Sequence, residues 1–239
     1  MKNFILKHAP VFIQNLAISL YNTYQYRQRH GGKYKFYRNY FGAFDNRSES
    51  DVILEQSNRL DGFLNYAVSN SNYYADFGFD KLTDFPVLEK KMLLENLSSI
   101  STVDESDAIV SLTGGTTGAS MKVLYTEEDI QERHAVLDHF RSRYGYTLGK
   151  RVAWFSGKDL TRQRDLERGI CYRDDWFNKI RFFSTFNITR KYVRDYWKAF
   201  NDFSPEYVVG FPSSVYDMCV LAKEQNLKFK CNVKAFFPT

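Results

Sequence analysis

The chain has 239 residues, of which 44% are hydrophobic and 26% are charged. This composition is ordinary for a globular protein, and the length allows one large domain or two small ones with a substantial core. Aromatic residues make up 17% of the chain. That share excludes an intrinsically disordered protein, because such chains are poor in aromatic side chains.

Positive charge is concentrated in the N-terminal segment. Residues 1–47 carry eight Lys or Arg side chains and one acid, Asp45, for a net charge of +7. The other 192 residues carry 25 basic and 27 acidic side chains, for a net charge of −2. The basic character therefore belongs to one segment and not to the protein as a whole.

The cysteines, Cys171, Cys219 and Cys231, show no C-x-x-C spacing and leave an odd number. This pattern fits a reducing compartment better than a disulfide framework. Polar residues interrupt the apolar start of the chain, and no apolar run is long enough to cross a bilayer, so we expect neither a signal peptide nor a membrane span. These observations predict a cytoplasmic protein.

The first element in chain order is a helix over residues 10–30. Pro10 suits its first turn, and Gly31 and Gly32 end it. The residues that give this helix an apolar side are Phe12, Leu16, Ile18, Leu20, Tyr21 and Tyr24.

A basic and aromatic segment follows at residues 33–40, with the sequence Lys-Tyr-Lys-Phe-Tyr-Arg-Asn-Tyr. Three interpretations are open. Its rings and charges could stack on bases and grip phosphates, or they could lie on an anionic membrane surface. The plainest interpretation is an extended arm whose aromatic side chains pack on the domain while its charges stay in water.

Residues 51–70 have apolar side chains at mostly helical spacing and predict a second helix. Pro86 then favours an extended entry to a short helix. A strand follows at residues 108–112, and residues 123–126 have the pattern of a second short strand. The loop between them would therefore join two strands of a sheet.

This loop is the most informative part of the chain. Residues 113–122 contain three glycines, three threonines and one lysine. Glycines let a backbone approach a polyphosphate closely, main-chain amides and Thr hydroxyls donate to phosphate oxygens, and Lys122 adds a positive charge. Lys122 lies four residues beyond Gly118 and a strand follows it, so the loop is not a Walker A motif. The alternative is a flexible hairpin loop without a ligand.

Strands and helices alternate in the rest of the chain, which is typical of an α/β fold. Between residues 158 and 181, seven basic side chains are largely balanced by acids, which favours a solvated, salt-bridged surface over a phosphate contact. The predicted elements are a helix over 127–144 capped by Thr126, a strand over 151–156, a helix capped by Thr189 and ending near Phe200, a strand and helix over 207–223, and a strand over 234–238.

The sequence Thr113-Gly-Gly-Thr-Thr-Gly118 followed by Lys122 resembles the phosphate-binding signature of adenylate-forming enzymes, the acyl-CoA synthetase and ligase superfamily. Within it, the chain is most similar to the phenylacetate–CoA ligase-like branch that includes capsular polysaccharide biosynthesis proteins of the CapK type. The resemblance covers almost the whole chain, although only the loop is a specific motif. The other stretches that agree in kind and order are 14–21, 85–91, 151–157, 209–214 and 233–239.

The resemblance implies ATP-dependent activation of a carboxylate. A carboxylate would attack the α-phosphorus of ATP, Mg²⁺ would neutralise the departing pyrophosphate, and the acyl-adenylate would often pass to coenzyme A. Gly114 stands where the family commonly has Ser, and Ser120 where it commonly has Pro, but this branch is variable at the loop. The residues that would bind the β- and γ-phosphates are Thr113, Gly114, Gly115, Thr116, Thr117, Gly118 and Lys122.

A second candidate site lies at the predicted carboxyl ends of two strands, where ligands bind in open α/β sheets. Plain strand-to-helix turns are an equally good account of these residues. His134 and His139 are five residues apart, a spacing that does not stack them on one helix face as i, i+4 ligands do, so we predict no metal site. By family likeness, the acyl pocket would be lined by Trp154, Phe155, Gly157, Gly210, Phe211, Pro212 and Ser213.

The resemblance divides the chain into a basic, aromatic N-terminal helix and arm at residues 1–50 and a partial adenylate-forming α/β domain at 51–239. The family's later motifs for adenine, ribose and metal, and its small C-terminal domain with a catalytic lysine, have no counterpart here. We therefore expect an incomplete N-terminal domain with little or no complete adenylation, and no catalytic residue is assigned. The alternative function is a non-catalytic binding or scaffold protein that uses the basic arm at a membrane surface or polyanion; nucleic acid is a weaker candidate.

Overall fold

The computed structural model describes residues 9–77, 81–112 and 121–239. Contacts divide the chain into two compact units, one formed by Met1–Arg27 with Leu137–Thr239 and the other by Gln28–Val136. A helical N-terminal region is followed by alternating strands and helices, so the predicted α/β class is confirmed. The division at residue 50 stays a prediction. Among the helices in the described residues, none has the length and apolarity that a membrane crossing requires.

The bounds of the elements confirm the helices predicted at 10–30, 51–70 and 127–144 to within a few residues. In the described residues the helices are α1 (Val11–His30), α2 (Tyr34–Gly42), α3 (Glu49–Asn70), α4 (Lys90–Glu95), α5 (Leu97–Ile100), α6 (Glu127–Ser142), α7 (Gln163–Leu166), α8 (Val193–Phe203) and α9 (Pro212–Glu224). The strands are β1 (Ile109–Leu112), β2 (Lys122–Tyr125), β3 (Val152–Ser156), β4 (Tyr172–Asp175), β5 (Ile180–Ser184), β6 (Tyr207–Gly210) and β7 (Ala235–Pro238). Short 3₁₀ helices cover Ala43–Asn46 and Leu82–Asp84.

A five-stranded sheet forms the centre of the first unit. The order of its strands is β4-β5-β3-β6-β7. Strands β5, β3, β6 and β7 run parallel, whereas β4 is antiparallel to β5 and forms an edge of the sheet. The carboxyl ends of the four parallel strands therefore lie together along one side of the sheet.

The two faces of the sheet bury separate apolar clusters, because alternate residues of a strand point to opposite faces. On β3, Ala153 and Phe155 belong to the cluster beneath α8 and α9, and Val152 belongs to the cluster on the other face. Phe155 stacks on Phe183 of β5 with ring centroids 4.9 Å apart. Because β3 and β6 are buried on both faces, their sequences are nearly continuous apolar runs.

Helix α8 packs the apolar side of its sequence on the sheet. Its buried residues are Val193, Tyr196, Trp197, Ala199 and Phe200. The predicted cap at Thr189 is wrong, because the helix begins at Val193 and Tyr192 occupies its N-cap position. The helix ends at Phe203, and Ser204 after it adopts a left-handed conformation with φ of 50°.

Helix α1, in contrast to α8, buries its polar side. Its buried residues are Gln14, Asn15 and Ser19, all of them polar. Phe12 and Leu20, on the side that the sequence marks as apolar, are exposed. An amphipathic helix usually buries its apolar stripe, so the orientation of α1 needs a specific cause.

The cause is the edge strand β4. The outward main-chain N–H groups of an edge strand have no neighbouring strand to bond, and buried N–H groups require acceptors. Oδ1 of Asn15 accepts a hydrogen bond from the Asp174 amide at 3.1 Å, and Oγ of Ser19 accepts one from the Trp176 amide at 2.9 Å. Helix α1 therefore covers the sheet edge with its polar side, and its apolar side faces outward.

A buried ionic cluster lies beside this edge. Arg173 is completely buried, and its guanidinium donates to Oε1 of Gln14 at 2.5 Å and to the carboxylate of Asp165. Arg162 donates to the same carboxylate at 2.8 and 2.9 Å. Burial acts to raise the pKa of Asp165, but the hydrogen bonds from Arg162 and Arg173 outweigh it and lower that pKa to about 2. The salt bridges predicted at 158–181 are present, but the prediction that they are solvated is wrong for this cluster, since charges can be buried where each finds a partner.

In the second unit, the basic aromatic segment is helix α2 and not an extended arm. Lys33 and Tyr37 both donate to Oε1 of Glu128 on α6, at 2.9 and 2.7 Å. Tyr40 donates to Glu55 on α3 at 2.5 Å. The hydrogen bonds from Lys33 and Tyr37 lower the pKa of Glu128. The aromatic side chains thus pack on their own unit as one interpretation predicted, whereas the extended conformation was wrong.

Candidate functional site

Strands β1 and β2 form an antiparallel hairpin in the second unit. Ile109 pairs with Tyr125, and Leu112 pairs with Lys122, so the chain leaves β1 and enters β2 at directly opposite positions. The prediction that the Gly/Thr-rich loop joins two strands is therefore confirmed. Of the predicted nucleotide-binding residues, Lys122 is described and begins β2. The others lie outside the described residues; they are Thr113, Gly114, Gly115, Thr116, Thr117 and Gly118.

Helix α6 starts directly after this hairpin. Oγ1 of Thr126 accepts a hydrogen bond from the Asp129 amide at 3.0 Å, and the Asp129 carboxylate accepts one from the Thr126 amide at 2.8 Å. This reciprocal pair satisfies free N–H groups at the helix start, so the predicted Thr126 cap is confirmed. The cap therefore lies at the point where the chain passes from β2 into α6.

Lys122 forms an ion pair at the loop end of the hairpin. Its Nζ lies 2.6 Å from Oε1 of Glu105, and both side chains are partly exposed. An exposed pair of this kind contributes at most about 1 kcal/mol, because water screens it and both side chains lose freedom. A polyphosphate could therefore displace Glu105 from Lys122 at a small cost in free energy, because it offers several anionic oxygens in place of one carboxylate.

A cavity of about 340 Å³ adjoins this ion pair within the second unit. Its size is at the lower end of the roughly 300–1,000 Å³ typical of small-molecule sites. Glu105 belongs both to the cavity wall and to the ion pair, so a ligand that displaces Glu105 also changes the cavity. The lining residues include Leu94, Leu97, Ser101, Asp104, Glu105 and Leu124.

The second candidate site lies at the carboxyl edge of the sheet in the first unit. The chain leaves β3 toward β4 and β5 on one side, and it leaves β6 toward β7 on the other. The connections after these neighbouring strands therefore diverge, and in an open α/β sheet such a switch point is where a ligand crevice forms. The predicted acyl-pocket residues come from the ends of β3 and β6 and from the turns after them.

Two glycines allow the turns at this switch point to approach each other. A Cβ atom on Gly157 would lie 2.9 Å from Cε2 of Phe211. Gly210 pairs with Phe155 and has φ of +147°, and a Cβ atom there would lie 2.4 Å from the carbonyl oxygen of Phe155. Gly210 therefore requires glycine, because backbone lies against it, whereas a side chain at Gly157 would have to displace the exposed ring of Phe211.

Trp154 and Phe155 point to opposite faces of the sheet. Phe155 is fully buried beneath α8 and α9, where it builds the core and does not reach a surface crevice. Trp154 is partly buried on the other face, with its ring centroid 5.8 Å from that of Phe182. Of this pair, Trp154 alone keeps access to solvent near the switch point.

The turn after β6 leads directly into α9. Phe211 is exposed and occupies the N-cap position, Pro212 is the first helical residue, and Ser213 is exposed in the first turn. Proline suits this place because the first helical N–H has no partner within the helix. The structure therefore brings Gly157, Gly210, Phe211, Pro212 and Ser213 to one end of the sheet and leaves Phe155 beneath it.

Three hydroxyl residues at the same edge were not predicted from the sequence. Ser156 and Ser184 pair with each other at the ends of β3 and β5, and Thr185 donates to the Ser156 carbonyl at 3.3 Å. Oγ of Ser184 is buried without a hydrogen-bond partner among the described residues, which makes it an unsatisfied polar group at this edge. The signal in the sequence is that hydroxyl residues end two of the buried strands.

Comparisons with solved structures show which known fold the chain shares. Two crystal structures of 2-hydroxyisobutyryl-CoA ligase in complex with 2-HIB-AMP and CoA match the fold at 18% sequence identity. The open conformation gives a TM-score of 0.53 over 76% of this chain and 45% of the ligase. The thioesterification state gives a TM-score of 0.50 over 80% of this chain and 44% of the ligase. The chain therefore has the fold of part of an adenylate-forming ligase.

A sequence comparison supplies a particular relative. Protein CapK of Staphylococcus aureus is 24% identical over 251 aligned residues, which cover 100% of this chain and 54% of CapK. The chain is thus a distant homologue of CapK over its whole length. It spans about half the length of the relative that it matches. No protein-family model matches the chain.

Proposed function

We propose that the chain is the N-terminal part of an ATP-dependent, carboxylate-activating ligase. The observation that carries this proposal is the β1–β2 hairpin, which closes the Gly/Thr-rich loop between the paired residues Leu112 and Lys122. Amides and hydroxyls of residues 113–118 would hold the β- and γ-phosphates of ATP. Mg²⁺ would accompany the nucleotide and share its charge. Lys122 would add a compact positive charge once it leaves Glu105.

We propose that the acyl group binds in the first unit, at the switch point between β3 and β6. The close-packed turns and the exposed ring of Phe211 suit an apolar chain, and Phe155 is omitted because it is fully buried. Coenzyme A would be the acceptor, as the matched ligase was solved with CoA and an acyl-adenylate. The proposed lining residues are Trp154, Gly157, Gly210, Phe211, Pro212 and Ser213.

On its own, the chain would carry out little or no complete adenylation. It spans 54% of CapK and 45% of the ligase in its open conformation. By its resemblance to capsular polysaccharide proteins of the CapK type, we place it in cytoplasmic surface-polysaccharide biosynthesis.

Nucleotide binding is tested by calorimetric titration of the full chain with ATP and Mg²⁺. Lys122→Gln should weaken ATP binding about tenfold, because a charge-assisted hydrogen bond to phosphate is lost. Lys91→Gln is the matched control, since Lys91 also forms an exposed ion pair in the second unit, with Glu95. If neither ATP nor AMP binds the unchanged chain, or if both variants lose affinity equally, the proposal fails.

The expectation that the chain does not complete adenylation is tested separately, by carboxylate-dependent pyrophosphate exchange. We expect none from the purified chain, because binding of the phosphates alone does not position a carboxylate for in-line attack. Robust exchange would show that the chain is catalytically complete, and it would leave the nucleotide site itself supported.

A further inference from the structure

Helix α1 is held by its polar side, so the direction of its apolar side is fixed as well. Nδ2 of Asn22 donates to Oδ2 of Asp175 at 2.9 Å, and Oε1 of Gln14 accepts from the buried Arg173 at 2.5 Å. With the bonds from the amides of Asp174 on β4 and Trp176 just after it, these contacts extend over more than two turns of α1. A rotation that buried the apolar side would break all of them.

Four apolar side chains lie next to one another on the outward side of α1. Phe12, Ile13, Leu16 and Leu20 are 62%, 39%, 40% and 57% exposed. The spacing of the last three, by three and then four residues, places them in one row along the helix. Single exposed apolar side chains are normal on proteins, but a continuous row on one helix marks an interaction surface. We call these four residues the α1 row.

The charge carried by α1 and by the sequence before it has one sign. Helix α1 contains no acidic residue, and Arg27 is exposed near its C-terminal end. In the sequence, residues 1–27 carry Lys2, Lys7 and Arg27 and no acid. An anionic bilayer offers an apolar layer and negative charge at the same place, whereas a second copy of this chain would bring the same positive charge to the contact.

We propose that the α1 row docks the chain on the surface of an anionic lipid bilayer. The helix would lie in the plane of the interface, with the four apolar side chains at the boundary of the acyl chains and Arg27 among the headgroups. Segment 33–40 is a poorer candidate for this contact, because Lys33 and Tyr37 already bond Glu128. The docking does not depend on nucleotide binding.

Vesicle co-sedimentation of the full chain tests the proposal. We expect binding to vesicles of phosphatidylcholine mixed with phosphatidylglycerol, and binding should fall as salt is added, because salt screens the attraction. The double variant Leu16→Gln, Leu20→Gln should bind at least tenfold more weakly, since apolar area is no longer removed from water. Gln is nearly as good a helix former as Leu, and both sites are exposed, so α1 should remain folded.

The matched control replaces two exposed apolar side chains on another helix. Ile53 and Leu54 on α3 are also exposed, and the double variant Ile53→Gln, Leu54→Gln should bind vesicles as the unchanged chain does. A separate variant, Arg27→Gln, should weaken binding to the anionic vesicles about fivefold at low salt. It leaves the α1 row intact and is a second test if the double variant fails to unfold cooperatively in urea.

Three results would overturn the proposal. These are absence of binding to anionic vesicles, equal binding by the α1 double variant, and equal losses in the α1 and α3 variants. A dimer in light scattering that the α1 variant abolishes, without vesicle binding, would assign the α1 row to a second copy and also refute the lipid contact. Unchanged ATP titration in the α1 variant would show that docking and the proposed nucleotide site are independent.

Discussion

Helices α1 and α8 pack on the same sheet but bury opposite kinds of side chain. Helix α8 lies over a face of the sheet and buries Tyr196 and Phe200 among apolar neighbours. Helix α1 lies along the edge strand β4 and buries Gln14 and Ser19, whose oxygens accept hydrogen bonds from that side. A sheet face offers apolar side chains, whereas a sheet edge offers unpaired N–H groups. The part of the sheet that a helix meets therefore decides which of its sides is buried.

The largest expected difference between the two helices concerns their apolar residues. Phe200→Ala on α8 should lower the free energy of unfolding by about 3–5 kcal/mol, because it opens a cavity in the core. Leu16→Ala on α1 should change it by less than about 0.5 kcal/mol, because that side chain is exposed. Urea denaturation of both variants measures this. Comparable losses would mean that α1 buries its apolar side after all.

The polar side of α1 gives the second prediction. Gln14→Ala leaves Nε of the buried Arg173 without its acceptor, which should cost about 2 kcal/mol in the free energy of unfolding. Asn65→Ala on α3 is the control, since its side chain makes an exposed hydrogen bond to the Asp61 carbonyl and its loss should cost under about 0.5 kcal/mol. Urea unfolding compares them, and equal effects would argue against α1 being held by its polar side.

Acid should weaken the same cluster. The pKa of Asp165 falls from 3.8 to about 2 in the folded chain, so the folded state binds fewer protons than the unfolded state in this range. The resulting stabilisation of about 2 kcal/mol is complete above about pH 4 and is lost as the pH falls toward 2. Urea unfolding across that range checks it. Asp165→Asn should be less stable at neutral pH and should show a smaller loss on acidification, and an equally steep acid loss would assign the effect to other carboxylates.

The smallest effect is expected at an ion pair that is not buried. Glu105→Gln releases Lys122 from an exposed pair, so it should change the free energy of unfolding by less than about 0.5 kcal/mol. If Lys122 binds phosphate, the same change should raise ATP affinity about two- to fivefold, because the competing carboxylate is gone. Calorimetric titration measures this, and an unchanged or lower affinity would show that Glu105 does not compete with ATP.

Local sequence signals predicted several of the elements. Thr126 and Asp129 stand three residues apart, and this spacing alone predicts the cap that the structure shows. The strand patterns on either side of residues 113–121 predicted a loop between two strands, because such patterns depend on neighbours in the chain. The glycines at 157 and 210 were also found from the turns in which they lie.

The sequence by itself determined the helices near 10–30, 51–70 and 127–144, the two strands on either side of the Gly/Thr-rich loop, and that the class is α/β. Only the tertiary structure decided that α1 buries Gln14, that Arg173 is completely buried, and that β3 and β6 form the switch point. The physical reason is that a hydrophobic pattern records the side chains of one element, whereas burial depends on what a distant element presents to it. For α1 that element is a sheet edge, where hydrogen-bond acceptors stabilise the contact more than apolar area does.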